Sequence, residues 1–267
     1  MLIDKTKTVR DLAVENPATT RVFEKFKIDY CCGGHVSFEE ACQNAGVEMS
    51  QVSEMLEKSA NGSSANNMSD TDFTKMSLAS LADYIVRKHH VFTREENARI
   101  TALLEKVCSV HGGNHAELFD TQKIFGALRL ELENHMLKEE RMLFPYISLM
   151  ESSLNFGQPI PSAPFGSTKN PVKVMVAEHD AAGEHLREIR RFSNHFAIPD
   201  DACITYQTLY SALENIEKDL HQHIHLENNI LFPKAIEMEE SGKPADANRM
   251  DDVKCGLHAS GALPLKR

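Results

Sequence analysis

The sequence predicts an all-α protein in which a small N-terminal helical domain precedes a four-helix bundle. Apolar residues recur at intervals of three or four in four long stretches, which is the spacing of one buried helical face. No stretch shows the sustained apolar–polar alternation of a β-strand. Four helices with one apolar face each can bury those faces against one another. The stretches lie near residues 77–107, 115–150, 171–196 and 201–238.

Changes in composition divide the chain into segments. Residues 59–72 are small and polar, as in a flexible linker, and residues 157–171 contain four prolines that exclude a continuous helix. The proline-rich segment therefore separates the bundle into two helical pairs. The predicted organisation is an N-terminal domain over 1–58, a linker over 59–76, the bundle over 77–240 and a flexible tail over 241–267.

The overall charge and hydropathy exclude several classes of protein. The net charge is −10, so no general basic bias attracts nucleic acid or an anionic membrane. No apolar run approaches the ~20 residues that cross a bilayer. The N-terminus lacks the apolar core of a signal peptide, and we expect a cytoplasmic protein. Its six cysteines are then expected to be reduced rather than bridged.

The most informative feature is a motif that occurs twice. In each copy, histidine, glutamate and a Leu-Phe-Pro triplet follow at four-residue intervals, and the copies are 88 residues apart. Residues i and i+4 share one helical face, with Cβ atoms roughly 5–6 Å apart. Each copy therefore directs one imidazole and one carboxylate to the same point. The two copies run from His135 through Glu139 to Pro145 and from His223 through Glu227 to Pro233.

The first helix of each pair adds a histidine on its own apolar stripe. His89 follows Ile85 by four residues, and His179 follows Val176 by three. The neighbouring His90 is turned about 100° away from the stripe in a regular α-helix, so His89 is the predicted ligand. The predicted metal ligands are His89, His135, Glu139, His179, His223 and Glu227.

Four imidazoles and two carboxylates suit iron, manganese or zinc better than magnesium or calcium. A single histidine on an apolar stripe is usually a core residue, but duplicated histidines with carboxylates at i+4 favour a two-metal site. We expect His90, His221 and His225 to lie at the surface or beside the ligands. Glu140 and Glu178 are expected to be solvated or to orient a ligand. The Leu-Phe-Pro triplets are expected to pack the core and to end or kink a helix.

A second chemical feature is the segment Asp29-Tyr-Cys-Cys-Gly-Gly34. Cys31 and Cys32 are too close for an unstrained mutual disulfide. They are either activated thiols, suited to nucleophilic attack or to a soft metal, or a buried pair of small apolar residues. The other cysteines, at positions 42, 108, 203 and 255, are expected to be inert packing or surface residues.

The vicinal cysteines ahead of a His/Glu bundle resemble the di-iron iron–sulfur cluster repair proteins of the YtfE/ScdA family. The resemblance extends from about residue 5 to residue 238, with a ScdA-type N-terminal domain and a hemerythrin-like four-helix bundle. It implies two non-haem iron ions with oxo and carboxylate bridges, held by the six ligands named above. Hemerythrin itself has five histidines, and the four matched here leave open coordination positions.

The resemblance also implies a function in the response to oxidative or nitrosative stress. The expected activity is repair of damaged iron–sulfur clusters, with iron donated from the di-iron centre and with Cys31 and Cys32 as transfer thiols. Two alternatives stay open: a di-iron reductase of nitric oxide or peroxide, and a sensor of oxygen or nitric oxide. The expected partners are damaged iron–sulfur proteins and nitric oxide or oxygen, without nucleic acid or membrane, and a homodimer stays open.

Overall fold

The computed structural model describes residues 4–31, 33–61 and 72–242, and helices form all the longer elements of these ranges. No helix in these ranges combines the length and the apolar character needed to span a bilayer. The prediction of an all-α protein is confirmed. Most of the predicted linker, the predicted tail beyond residue 242, Cys32 and Cys255 lie outside the described residues.

Four short helices build the N-terminal domain. Its core contains Phe23, Tyr30 and Phe38, all fully or almost fully buried. A side-chain cap begins the third helix, because the Ser37 hydroxyl accepts a hydrogen bond from the amide of Glu40 at 3.2 Å. The helices are α1 (Val9–Glu15), α2 (Thr19–Phe26), α3 (Phe38–Asn44) and α4 (Met49–Asn61).

The bundle consists of two helical hairpins. Each hairpin contains two long rods, and a rod is either one helix or two successive helices joined by a short π-helical turn. The first hairpin comprises α5 (Leu78–Ile85), α6 (Val91–His111), α7 (Glu117–Lys138) and α8 (Phe144–Asn155). The second comprises α9 (Lys169–Phe192), α10 (Ile204–Leu226) and α11 (Phe232–Ser241). Three of the rods contain one wider turn, which joins α5 to α6, α7 to α8 and α10 to α11.

These wider turns are π-helical. They span Val86–His90, Glu139–Leu143 and Glu227–Leu231, and after each one an amide bonds to a carbonyl five residues earlier. Pro145 and Pro233 follow two of them, and a proline ring in a regular α-helix would clash with the carbonyl four residues before it. The repeated Leu-Phe-Pro triplet thus packs leucine and phenylalanine into the core and accompanies a widened turn.

Two apolar clusters fill the bundle and leave a polar layer between them. One cluster is formed by α6, α7, α9 and α10 and includes Leu104, Leu128 and Leu213. The other is formed by α5, α8, α11 and the start of α9, and it includes Leu81 and Ile147. The predicted metal ligands belong to neither cluster and lie on the rods between them.

The repeat extends to the capping of each hairpin. Glu151 and Glu239 each follow the repeated glutamate by twelve residues. Glu151 accepts hydrogen bonds from the amides of Leu78 and Ala79 at 2.8 and 2.9 Å, at the start of α5. Glu239 accepts from the amide of Thr168 at 3.0 Å, at the start of α9. Each hairpin therefore caps its first rod with a carboxylate from the end of its second.

We predict that Glu239→Ala lowers the free energy of unfolding by about 2 kcal/mol, because the first turn of α9 loses a charged cap. Chemical denaturation of the metal-free protein measures the change. Glu237→Ala, at an exposed position on the same helix, is the matched control and should change stability by less than about 0.5 kcal/mol. Equal effects of the two substitutions would contradict the capping role.

Candidate metal centre

Four imidazoles and two carboxylates meet in the polar layer of the bundle, all of them buried. They form two groups, and within each group the potential ligand atoms lie within 4.8 Å of one another. One group contains His90 and His223, the other contains His135 and His179, and both contain Glu139 and Glu227. The two carboxylates are therefore placed between two candidate metal positions.

The Nε2 atoms of the imidazoles converge on these carboxylates. The Nε2 atom of His223 lies 2.9 Å from Oε1 of Glu227, and that of His179 lies 3.0 Å from Oε2 of the same residue. The Nε2 atoms of His135 and His90 lie 3.3 and 3.4 Å from Oε2 of Glu139. Each hairpin thus contributes two imidazoles and one carboxylate to a shared centre.

The structure places His90 in the position that the sequence predicted for His89. A ligand four residues after Ile85 assumed a regular α-helix, but the π-helical turn Val86–His90 inserts one residue. The inward position is therefore the fifth residue after Ile85. His89 is also fully buried, but its Nδ1 atom lies 3.0 Å from Oδ1 of Asp219 and it is in neither ligand group. The geometry favours His90 as the ligand.

Oxygen atoms orient three of the four imidazoles through Nδ1. Glu140 lies 2.7 Å from His90, and Arg94 also donates to this carboxylate. Glu178 lies 2.9 Å from His135. Such contacts fix the ring and direct Nε2 at a metal, as is usual for histidine ligands. Glu140 and Glu178 are partly exposed and each contacts an imidazole of the cluster, as a group that orients a ligand would.

The same positions of the repeat supply these oxygens. Asn228, which follows Glu227, lies 2.8 Å from Nδ1 of His179, just as Glu140 follows Glu139 and contacts His90. By the same correspondence, His89 occupies the place of Glu178. It lies beside His223, with ring centroids 5.6 Å apart and nearly parallel planes.

Electrostatic balance keeps both carboxylates charged. Burial and the nearby Glu227 oppose ionisation of Glu139, but His135 and His90 outweigh them and lower its pKa. Burial also opposes the charge on Glu227, yet His223 and His179 hold its pKa well below the usual value. In the absence of a metal, burial opposes protonation of His135, but Glu139 raises its pKa to about 10.

The donor set fits metal cations. Among the described residues, both oxygens of Glu139 and Oε2 of Glu227 are fully buried without a hydrogen bond of ordinary geometry, and imidazole Nε2 atoms only approach Oε2 of each residue at 3.0–3.4 Å. Leaving such charges without a close counter-charge is expensive, and cations between the two carboxylates would remove that cost. Two groups of residues would hold such cations, one with His90 and His223 and the other with His135 and His179, and both groups contain Glu139 and Glu227.

The remaining histidines of α10 face the N-terminal domain. His221 is partly exposed, and its Nδ1 atom lies 3.1 Å from Oε1 of Glu24. His225 is buried, contrary to a surface position, and its ring packs edge-on against Tyr30 with centroids 5.4 Å apart. Burial lowers the pKa of His225 to about 4, so this contact is made by a neutral imidazole.

The cysteines differ in exposure. Cys31 is buried, as are Cys42 and Cys108, for which the expectation of packing residues is confirmed. Cys203 is instead exposed at the start of α10, with its sulfur 3.2 Å from Nε2 of His111. The amide of Tyr206, followed by His111, lowers the pKa of Cys203 to about 7. The lowered pKa and the neighbouring His111 argue against an inert thiol, and the sequence did not show that His111 lies beside Cys203.

Comparison with known families agrees with this geometry. Residues 81–235 match the model of the hemerythrin HHE cation binding domain, and residues 5–60 match the ScdA_N model, described as a domain of unknown function. A probable iron–sulfur cluster repair protein from Haemophilus influenzae is 33% identical over 230 residues, which are 85% of this chain and 95% of that protein.

This chain belongs to the family of iron–sulfur cluster repair proteins. The iron–sulfur cluster repair protein YtfE from Escherichia coli is 32% identical over 226 residues, which are 85% of this chain and 94% of that protein. The protein ScdA from Staphylococcus haemolyticus is 28% identical over 233 residues, or 87% and 99% of the two chains. The resemblance inferred from the cysteine pair and the His/Glu repeat is confirmed.

We predict that His90→Ala and His89→Ala differ in metal content. His90→Ala should reduce the bound metal well below the content of the parent protein, because ligands of a shared centre act together. His89→Ala should keep the metal content of the parent protein, because it removes only a neighbour of His223. Elemental analysis after removal of loosely bound metal measures both, and loss of metal in His89→Ala with retention in His90→Ala would contradict the ligand set.

We also predict that Cys203 reacts with iodoacetamide near pH 7 well before Cys42 and Cys108, because burial raises the pKa of both of those thiols. Since the pKa of Cys203 is lowered to about 7, its rate should reach a plateau above about pH 8. Peptide mass spectrometry follows each site. His111→Ala should move the midpoint to higher pH, and an unchanged midpoint would exclude His111 as a cause.

Proposed function

We propose that the chain repairs damaged iron–sulfur clusters, that its buried centre holds two iron ions and that this iron is the delivered cargo. The relatives named as iron–sulfur cluster repair proteins support the repair function. The observation that carries the iron-donor role is the position of the cysteine segment, which packs directly against the helix that supplies two metal ligands.

Iron is the metal that both suits the donor set and serves the repair function. Manganese and zinc accept the same imidazole and carboxylate ligands, but an iron–sulfur cluster needs iron. The four imidazoles and two carboxylates would provide the centre with fewer protein ligands than two six-coordinate ions require. Open positions would allow small molecules to approach and would favour release over permanent retention of the ions.

The cysteine segment lies on the outer side of the ligand helix. The backbone carbonyl of Tyr30 accepts a hydrogen bond from Asn229 at 3.1 Å, and Asn229 in turn contacts His225 at 2.8 Å. His225 and Asn229 are each two residues from a proposed ligand, His223 and Glu227 respectively. The segment therefore contacts residues that each lie two positions from a proposed ligand, and we propose that its movement displaces these ligands.

Charged contacts hold the same interface at its edge. Glu24 of α2 lies 3.1 Å from His221, and Asp29 lies 3.9 Å from Arg187 of α9. Contacts of this kind are weak when partly exposed and can be broken and remade. We propose that the N-terminal domain leaves this surface when a client protein binds and that Cys31 and Cys32 then receive the iron.

The test is reactivation of a nitric-oxide-damaged iron–sulfur protein under anaerobic conditions. We predict that replacing Cys31 and Cys32 together by serine lowers the reactivation rate at least tenfold and leaves the iron content of the repair protein unchanged. Cys203→Ser is the matched control, since it removes a reactive thiol far along the bundle from the centre. Unchanged reactivation by the Cys31/Cys32 double variant would contradict the role of the pair.

The same assay separates iron donation from catalysis of nitric oxide reduction. Donation predicts that iron leaves the repair protein in proportion to the clusters restored, as measured with isotopically labelled iron. A reductase would retain its iron and form nitrous oxide over many turnovers. Retention of labelled iron with full reactivation of the client would contradict the proposed donor role.

A further inference from the structure

Two polar side chains on the His90 face of α6 are buried without a hydrogen-bond partner in the part of the chain that the structure describes. Thr93 is fully buried and Asn97 is 2% exposed. The Thr93 hydroxyl and both the nitrogen and the oxygen of the Asn97 amide lack a hydrogen-bond partner among the described residues. Such groups are costly unless something else satisfies them, so they point to a bound molecule.

Their position follows from the buried stripe of α6. His90, Thr93, Asn97 and Ile100 are all buried and are spaced by three or four residues, so they share one face. The rise of an α-helix places Thr93 about 4.5 Å and Asn97 about 10 Å along the axis from His90. Beyond them the stripe continues into the apolar cluster with Ile100 and Leu104.

The second hairpin shows that this polarity is not a requirement of packing. A shift of 89 residues superimposes His90 on His179 and Ile100 on Ile189. The same shift brings Thr93 onto a buried alanine and Asn97 onto a buried leucine, both part of the apolar cluster. Those counterparts are Ala182 and Leu186. The bundle therefore accepts apolar residues at these two positions of the repeat. Of the two matched positions on each hairpin, those on α6 carry hydrogen-bonding side chains and those on α9 do not.

We propose that Thr93 and Asn97 line a subsite for small inorganic hydrogen-bond acceptors, which bind on the His90 side of the centre. The inference rests on the proposed metal centre, whose open positions the ligand would share. The hydroxyl and the amide can donate hydrogen bonds to such a ligand, whereas Ala182 and Leu186 cannot. The subsite makes the two metal positions unequal and directs small molecules to the one held by His90 and His223.

The test uses azide as the probe on the oxidised, iron-loaded protein. Thr93→Val and Asn97→Leu remove the polar atoms with little change in shape, and each should weaken azide binding about fivefold in a spectroscopic titration. The antisymmetric stretching frequency of bound azide should also shift. Thr93→Ser keeps the hydroxyl and should bind azide as the parent does.

Thr121→Val is the control for a buried threonine elsewhere, since Thr121 is fully buried on α7 and its hydroxyl bonds to a backbone carbonyl. Unchanged azide affinity and frequency in Thr93→Val and Asn97→Leu, with two irons still bound, would overturn the subsite alone. An equal loss in Thr121→Val would also overturn it. A parent protein that binds no iron under saturating conditions would overturn the metal centre and the subsite together.

Discussion

The two carboxylates buried at the centre of the bundle impose the constraint on which the other features depend. Glu139 and Glu227 are fully buried, and both pKa values are lowered, so two negative charges lie close together away from water. Such a pair is stable only with close positive charge and hydrogen-bond donors. The four converging imidazoles provide donors, and the proposed cations provide the charge. The apolar clusters on either side exclude water and strengthen each of these interactions.

The π-helical turns let continuous helices satisfy this constraint. The repeated histidine and glutamate already share one face of a regular helix at a spacing of four residues, but the apolar residues beyond them must also face the core. One extra residue in a turn rotates the following stripe, so the ligand and the apolar residues beyond it can both face inward. Three rods carry such a turn at or beside a ligand, whereas α9 directs His179 inward without one. Each π-helical turn, which is less stable than a regular α-helical turn, thus lies at or next to a candidate ligand.

Four of the six residues of the centre could be predicted because the His/Glu motif occurs twice in the sequence. The second copy of the His/Glu motif predicted His135, Glu139, His223 and Glu227 together, and the structure brings them into one cluster. The prediction of His89 as a ligand assumed the periodicity of a regular α-helix. The geometry favours His90 because the π-helical turn Val86–His90 inserts one residue, and such a turn leaves no clear mark on the pattern of apolar residues. Comparison of the two hairpins could have found His90, since a shift of 89 residues also matches Ile100 with Ile189.

Features that depend on tertiary contacts could not be predicted from the sequence. The capping by Glu151 and Glu239 joins residues about seventy positions apart, and Cys203 lies next to His111 only after α6 and α10 have packed. The buried Thr93 and Asn97 resemble ordinary polar helix residues until burial shows that they lack partners. In each case the chemistry comes from a neighbour distant in the chain, which spacing along one helix does not reveal.

The most direct measurement of the central claim is anomalous diffraction at the iron absorption edge from crystals of the iron-loaded protein. The account predicts two peaks inside the bundle on either side of Glu139 and Glu227. One should lie within bonding distance of His90 and His223, and the other within bonding distance of His135 and His179. A single peak, or a peak coordinated by His89 in place of His90, would contradict the account.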